Sequence, residues 1–246
     1  MKDLFSKQAN EYSAFRPSYP QALFEYLVTL VPSLQSAWDC GTGNGQVAGV
    51  LAGYFHQVYA TDISPRQLAK AVQRENLFYS EQPAEQTNFR QAQFDLITVA
   101  QAIHWFNFQC FYNEVRRTLK AGGILAVIGY GLLKSATNLD DIISEFYSAK
   151  VGRYWDEERR YIDEEYRSIP FPFVELQTPH FQMEVEWSIE QLIGYFNTWS
   201  AVQHYMEAMG NNPVDEISDK IREAWGPADK RKFIFPILLR IARAGE

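Results

Sequence analysis

Gly41, Gly43 and Gly45 alternate in the stretch Ala37-Trp38-Asp39-Cys40-Gly41-Thr42-Gly43-Asn44-Gly45, after an apolar run and before an amphipathic one. Glycines so placed let the backbone turn tightly from a strand into a helix and bring its N–H groups against a ligand. A phosphate loop needs G-x-x-x-x-G-K-[ST], and no lysine follows these glycines. A dinucleotide loop prefers G-x-G-x-x-G, whereas position 46 is Gln. The spacing disfavours a nucleoside triphosphate and a dinucleotide, and leaves another nucleoside cofactor or a turn that holds nothing. Asp62 shifts that balance, because it closes the next predicted strand, where a carboxylate can accept the hydroxyl protons of a ribose. A helix-start role for Asp62 is unnecessary, since Ser64 as N-cap, Pro65 at the first position and Gln67 three residues after the cap form a capping-box pattern.

These residues need elements to hold them. Leu23, Phe24, Leu27 and Leu30 lie at helical spacing, and Pro32 stops the pattern. A strand through Ala37, Trp38 and Asp39 enters the glycine loop, and Val47, Val50, Leu51 and Tyr54 form the core face of the helix that leaves it. A second strand through Val58 and Tyr59 ends at Asp62. The apolar run from Phe94 to about Ala100 reads as a buried parallel strand. Phe111, Val115 and Leu119 mark a helix, Ala121-Gly122-Gly123 ends it, and Ile124 starts the next strand. Strands alternating with helices predict an α/β fold with a parallel sheet covered on both faces, with ligands at the strands' carboxyl ends. Those ends are Asp39 to Gly45, Asp62, Gln101 to Trp105, and Gly129 to Tyr130. Beyond about residue 135 the pattern changes to helical, aromatic-rich and charged. A strand near 181–187, helices from Ile189 to about Trp225 and a last strand around Lys232 to Arg243 follow. Pro236 conflicts with a regular central strand, and a bulge is expected there.

The chain has 246 residues, 46% hydrophobic and 22% charged, and reads as a single domain with an inserted cap rather than two independent domains. Lys and Arg total 23 against 30 Asp and Glu, a net charge of -7, with no basic block to neutralise a polyanion. A nucleic acid and an anionic membrane are therefore disfavoured as partners. Cys40 and Cys110 do not have zinc-ligand spacing, and His56, His104, His180 and His204 form no ligand cluster, so no metal is expected. Two cysteines, no apolar leader pattern and no apolar run near about 18 residues point to a soluble, reduced, cytoplasmic setting.

The segments DCGTGNGQVAGVLA, VYATDIS, QPAE, FDLITVAQAIHWF and RRTLKAGGILAVIGY together resemble the class I S-adenosylmethionine-dependent methyltransferases. The N-terminal Y-x-x-F-R-P-S-Y-P and the C-terminal NTWSAVQHY and KFIFPILLRIAR are similar to the small-molecule branch that includes trans-aconitate methyltransferase, so the resemblance spans nearly the whole chain. It implies a Rossmann-like sheet of seven strands, the last antiparallel and inserted between the fifth and sixth, with a cap at about 138–170. It also implies S-adenosylmethionine as cofactor, with Asp39 and the loop Gly41, Thr42, Gly43 and Gly45 around its methionine part. On the same basis Asp62 would bind the ribose, with Ile63 against the adenine, Ala84 and Glu85 beside the adenine edge, Gln101 below the sulfonium, and Tyr12 and Arg16 over the carboxylate.

Methyl transfer is an in-line displacement whose electrophile the cofactor carries, so the protein must position the acceptor and exclude water. His104 and Trp105 follow the strand that would carry the cofactor face, and with Tyr130 and Trp155 they are the expected substrate-side residues; packing beneath a helix is the competing reading. His104 could take a proton from a hydroxyl acceptor, whereas a carboxylate acceptor needs no base. Trp155, Tyr161, Tyr166, Trp199 and Tyr205 are candidate roof residues or core. Arg153, Arg159, Arg160 and Arg167 alternate with acids and read as a solvated helix face rather than an anion site. The expected function is methylation of a small molecule, which could be a carboxylate. A catalytically silent cofactor-binding protein and an NAD-linked oxidoreductase are the alternatives, and oligomeric state is open.

Overall fold

The computed structural model describes residues 15–244. Five parallel strands open the chain: β1 (Ser36–Cys40), β2 (Gln57–Asp62), β3 (Leu77–Glu81), β4 (Phe94–Ala100) and β5 (Leu119–Tyr130). With β6 (Glu175–Leu176), β7 (Gln182–Trp187) and β8 (Arg231–Arg243) they form an eight-stranded arrangement in the order β3-β2-β1-β4-β5-β8-β6, with β7 also on β8. β8 runs antiparallel to β5 and lies between it and β6, so the implied inserted antiparallel strand is present.

Alternation along the strands supplies two cores. Ala37, Leu96, Ile124, Ala126 and Ile128 face a layer with Leu23, Phe24, Leu27, Val47 and Leu51 from the helices Gln21–Leu30 and Gln46–Leu51. Trp38, Ile97, Leu125 and Val127 face the opposite layer, with Phe111 and Val115 of the helix Phe108–Thr118. Trp38 is fully buried there, edge-on to Phe89 and Phe111. A third core lies outside the parallel sheet. It joins Leu139, Ile143 and Phe146 to Leu192, Phe196, Trp199, Val202, Val214, Ile217 and Ile221, and rests on Met183, Trp187, Phe233 and Phe235 of β7 and β8.

Several expectations need correction. Val50 is 38% exposed, because the buried face of the short helix after the glycine loop is Val47, Ala48 and Leu51 and Val50 lies to one side of it. Leu119 belongs to β5 rather than to the preceding helix, and Ala121-Gly122-Gly123 lies in a register shift between the pairs Phe94–Leu119 and Leu96–Ile124. Pro236 causes no register shift. It is the last residue of β8 to pair with β7, opposite Gln182, and Ile237 then pairs with Tyr130 of β5. A proline that cannot donate is accommodated where one long strand changes partners. The segment expected to be helical after residue 138 is broken into the helix Leu139–Glu145, a π turn at Phe146–Lys150, 3-10 turns at Gly152–Tyr154 and Glu157–Arg159, and a short helix Arg160–Asp163. The helices Ile189–Asn197, Ser200–Met209 and Pro213–Trp225 share a hydrophobic core with Leu139, Ile143, Phe146 and Val151 of that segment.

Candidate functional site

The carboxyl ends of β1, β2 and β4 meet at the glycine loop. Register places Asp39 beside Thr98, and Thr98 Oγ1 donates to Asp39 Oδ1 at 2.7 Å. Asp39 Oδ2 accepts from Thr42 Oγ1 at 2.5 Å and from the Ala48 N–H at 3.2 Å, so one buried carboxylate ties the loop to the helix behind it. Burial raises its pKa to about 6, against the lowering effect of those hydrogen bonds. The Thr61 carbonyl accepts both the Gly41 and the Thr42 N–H at 2.9 Å, which bends the loop across the end of β2. Gly41 is required at this bend. Its φ is +68°, and a Cβ there would stand 2.7 Å from Ala102 Cβ. Gly45, with φ 78°, is the N-cap of the helix.

Asp62 reaches across to the same loop. Its Oδ2 accepts the Gly43 N–H at 2.8 Å and its Oδ1 the Ser64 N–H at 2.8 Å. Ser64 caps the next helix as expected, accepting the Gln67 N–H at 3.3 Å. A cavity of about 970 Å³, counting its open mouth, lies over these groups. Arg16, Asp39, Gly41, Thr42, Gly43, Asp62, Ile63, Gln101, Trp105 and Tyr130 are on its wall, so most residues singled out from the sequence converge on one space. Gly45, Ala84 and Glu85 are not on that wall. Ala84 is buried, and Glu85 Oε1 accepts the Asn107 N–H at 2.9 Å. Tyr12 lies outside the described residues.

A second cavity of about 510 Å³ adjoins the first and shares Arg16, Gln101 and Trp105 with it. His104, Trp155, Asp156, Arg159, Ile162, Trp199 and Ser200 complete its wall. Arg16 links the two layers, donating from Nη1 to Tyr130 Oη at 2.8 Å and from Nη2 to the Thr198 carbonyl at 3.2 Å. Gln101 has φ 52°, a left-handed conformation that costs a side-chain-bearing residue about 1–2 kcal/mol. It is held by its own N–H to the Ile128 carbonyl at 2.8 Å and by Nε2 to the Tyr130 carbonyl at 3.0 Å. Tyr166, also left-handed at φ 61°, lies against Gly129, where a Cβ would meet its ring at 2.6 Å. Its hydroxyl comes within 3.5 Å of both Gln101 Oε1 and His104 Nδ1. Strain gathered on two touching residues is a mark of a functional site.

His104 is 7% exposed and packs on Trp105 with ring centroids 4.9 Å apart. Burial, and then the Arg159 charge, push its pKa down to about 3, so the ring is neutral at ordinary pH and a poor proton acceptor. Of the other aromatic candidates, Trp155 and Trp199 reach the second cavity, whereas Tyr161 packs on Phe108 and Tyr205 on Tyr154. Arg159 and Asp156 are wall residues that the sequence reading passed over, because their charges alternate with those of neighbours like a solvated face.

The strand-end cavity suits a nucleoside cofactor carrying an amino acid. Ile63, Val47 and Ala102 give it apolar wall, Asp62 and Asp39 give carboxylates, and a Cβ on Gly43 would meet nothing within 4 Å, so the loop faces open space. Residues 38–127 match the family described as a methyltransferase domain. A protein of Dictyostelium discoideum named as a methyltransferase is 33% identical over 231 residues, 92% of this chain and 88% of that one. A Saccharomyces cerevisiae protein named as an S-adenosylmethionine-dependent methyltransferase, CRG1, is 25% identical over 66% of this chain and 58% of its own. A solved structure from Anaeromyxobacter dehalogenans, described as a type II methyltransferase, superposes with a TM-score of 0.88 at 36% identity, covering 94% of this chain and 99% of that one. On the sheet order, the glycine loop with its two aspartates and these relatives, the chain belongs to the class I S-adenosylmethionine-dependent methyltransferases, and S-adenosylmethionine is its cofactor.

Proposed function

We propose that this enzyme methylates a small carboxylic acid held in the second cavity, as the resemblance to the trans-aconitate methyltransferase branch implies. One observation carries the reading: the two cavities share Arg16, Gln101 and Trp105, so a donor in one and an acceptor in the other would meet across those side chains. S-adenosylmethionine supplies an electrophilic methyl group. The chain's own part is orientation. Asp62 takes the ribose hydroxyls, Ile63 lies against the base, Asp39 with the Gly41 to Gly43 backbone surrounds the amino-acid end, and Gln101 and Arg16 border the junction.

The helical layer excludes water from the second cavity and holds the acceptor within about 3 to 3.5 Å of the reacting carbon. A carboxylate is favoured over a hydroxyl because it is already ionised, while the one histidine on the wall has its pKa lowered to about 3, by burial and then by Arg159, and is too weak a base to help deprotonate a hydroxyl. His104 then orients the acceptor by hydrogen bonding rather than removing its proton. The excess of acidic over basic residues, 30 against 23, supports a small-molecule acceptor over a nucleic acid, and the two cysteines accord with a cytoplasmic setting. Among the described residues no helix is long and apolar enough to cross a membrane.

The test is a radiolabel partition. The purified enzyme, given cofactor labelled in its methyl group and a cell extract, is expected to place label in small soluble product that base hydrolysis releases, as a methyl ester would. Label in RNA or polypeptide would refute the acceptor class and leave the family assignment standing.

A further inference from the structure

Arg159 sits where a solvated arginine would not. Its guanidinium lies over Trp155, 4.6 Å from the ring centroid, and over Tyr147 at 5.2 Å. Its Nε donates to Tyr147 Oη at 2.7 Å, and Tyr147 Oη in turn donates to Asp163. Trp155 is itself fixed, donating from Nε1 to the Tyr147 carbonyl at 3.2 Å. The orientation of the guanidinium is thus set by its Nε edge and by two ring faces. Among the described residues no hydrogen bond is made by its Nη atoms. The nearest carboxylate, Asp163, is 3.6 Å from Nε and 49% exposed, so water screens most of that pairing. Asp156, on the same wall, forms no ion pair with Arg159 among the described residues.

We propose that Arg159 is a specificity-determining residue of the acceptor cavity, its Nη edge binding an anionic group of the acceptor. The proposal rests on the reading of the second cavity as the acceptor site and adds the residue that selects charge there. A planar fork is suited to a carboxylate, which accepts two parallel N–H bonds. Because the fork is held before any ligand arrives, little ordering cost falls on binding. Trp105, Trp155, Trp199 and Ile162 form the apolar part of the wall, beside the polar Arg16, Gln101, His104 and Ser200 and the acid Asp156, whose nearest cation is His204 at 3.9 Å, so the site fits an acid carrying an apolar body. Arg16 borders both cavities and Arg159 only the second, which puts Arg159 on the side away from the methyl donor.

The test compares wild type, Arg159→Met and Arg159→Lys in complex with S-adenosylhomocysteine. Malonate, phenylacetate and indole-3-acetate, each beside its amide, are titrated while tryptophan fluorescence is followed, and any acid that turns over is taken to kcat and KM. Met keeps the methylene stack on Trp155 without the charge, and Lys keeps the charge without the fork. At least one acid should bind the wild type about 10- to 100-fold more tightly than its amide, the range for hydrogen bonds to a charged group. Arg159→Met should erase that preference and raise KM more than it lowers kcat, and Arg159→Lys should restore part of it. S-adenosylhomocysteine affinity should be unchanged in both variants, and the thermal midpoint should fall modestly and by a similar amount in each, as both lose the Nε hydrogen bond to Tyr147. Equal binding of acid and amide by the wild type in every pair, or an acid preference that survives in Arg159→Met, would overturn the proposal. Wild-type protein that does not bind S-adenosylhomocysteine by calorimetry would overturn the cofactor reading beneath it, and the proposal with it.

Discussion

The two cavities that share Arg16, Gln101 and Trp105 are built in different ways. The strand-end cavity is built around backbone: a loop bent over the Thr61 carbonyl and cross-tied by Asp39 and Asp62, with most of its wall drawn from strand ends between residues 39 and 102 and the rest from Arg16, Pro17, Tyr19, Trp105 and Tyr130. The second cavity is made by side chains from Arg16, from the turn after β4, from the broken helical segment near 155–162 and from the Trp199–Ser200 corner. A cofactor common to a family can be held by geometry that tolerates change elsewhere. An acceptor that differs between members calls for side chains on a replaceable layer. The second cavity straddles two cores, with Trp155 and Trp199 from the helical layer's aromatic cluster and Trp105 and Ile162 from one of the two that sandwich the parallel sheet.

If the backbone half depends on its two carboxylates, the largest effect should come from Asp39. Burial raises its pKa from 3.8 to about 6, so between those values the folded state keeps a proton that the unfolded state has lost. Its stabilising contribution is complete below about pH 4 and lost as the pH rises past about 6, on the order of 3 kcal/mol at about 1.36 kcal/mol per pH unit. Urea unfolding across that range should show the decline in wild type and a flatter profile in Asp39→Asn. Parallel profiles would mean that the carboxylate is not the buried tie described here. Next in size is Asp62→Ala, expected to weaken S-adenosylmethionine binding by about 1.5 to 3 kcal/mol, the range for a hydrogen bond to a charged group. Calorimetry finding unchanged affinity in a folded variant would remove Asp62 from the site.

The side-chain half should respond differently. His104→Ala is expected to lower turnover about tenfold while leaving cofactor affinity nearly intact, less than the roughly 100-fold floor for loss of a general base. Because burial and Arg159 hold the ring's pKa near 3, wild-type kcat should show no inflection near pH 6.5 that disappears in the variant. Such an inflection would restore His104 as a base.

The same division explains what could be read from the chain alone. The glycine loop, Asp62 and the Ser64 cap are consecutive signals within single strand-to-helix turns, and all three stand where their spacing places them. The continuous apolar run Phe94–Ala100 likewise identified a strand that is buried along most of its length. Arg159 was illegible because its role depends on Tyr147 and Trp155 turning back through a π turn and two 3-10 turns, and local charge alternation gives no sign of that path. The place of Glu85 came from the family resemblance alone, and the hydrogen bond that its Oε1 accepts from the Asn107 N–H had no signal in the sequence. The eighth strand pairing of β7 depends on Pro236 marking a change of partner, which a rule about proline in strands reads as a defect.

The most direct test of the two-cavity account is a crystal structure with S-adenosylhomocysteine bound. The account predicts the ribose on Asp62, the amino-acid end under the Gly41 to Gly43 loop, and the sulfur at the Gln101–Trp105 junction with its vacant methyl position aimed into the space bordered by His104, Trp155 and Arg159. A sulfur turned away from that junction, or an adenosine lodged in the aromatic cavity, would contradict it.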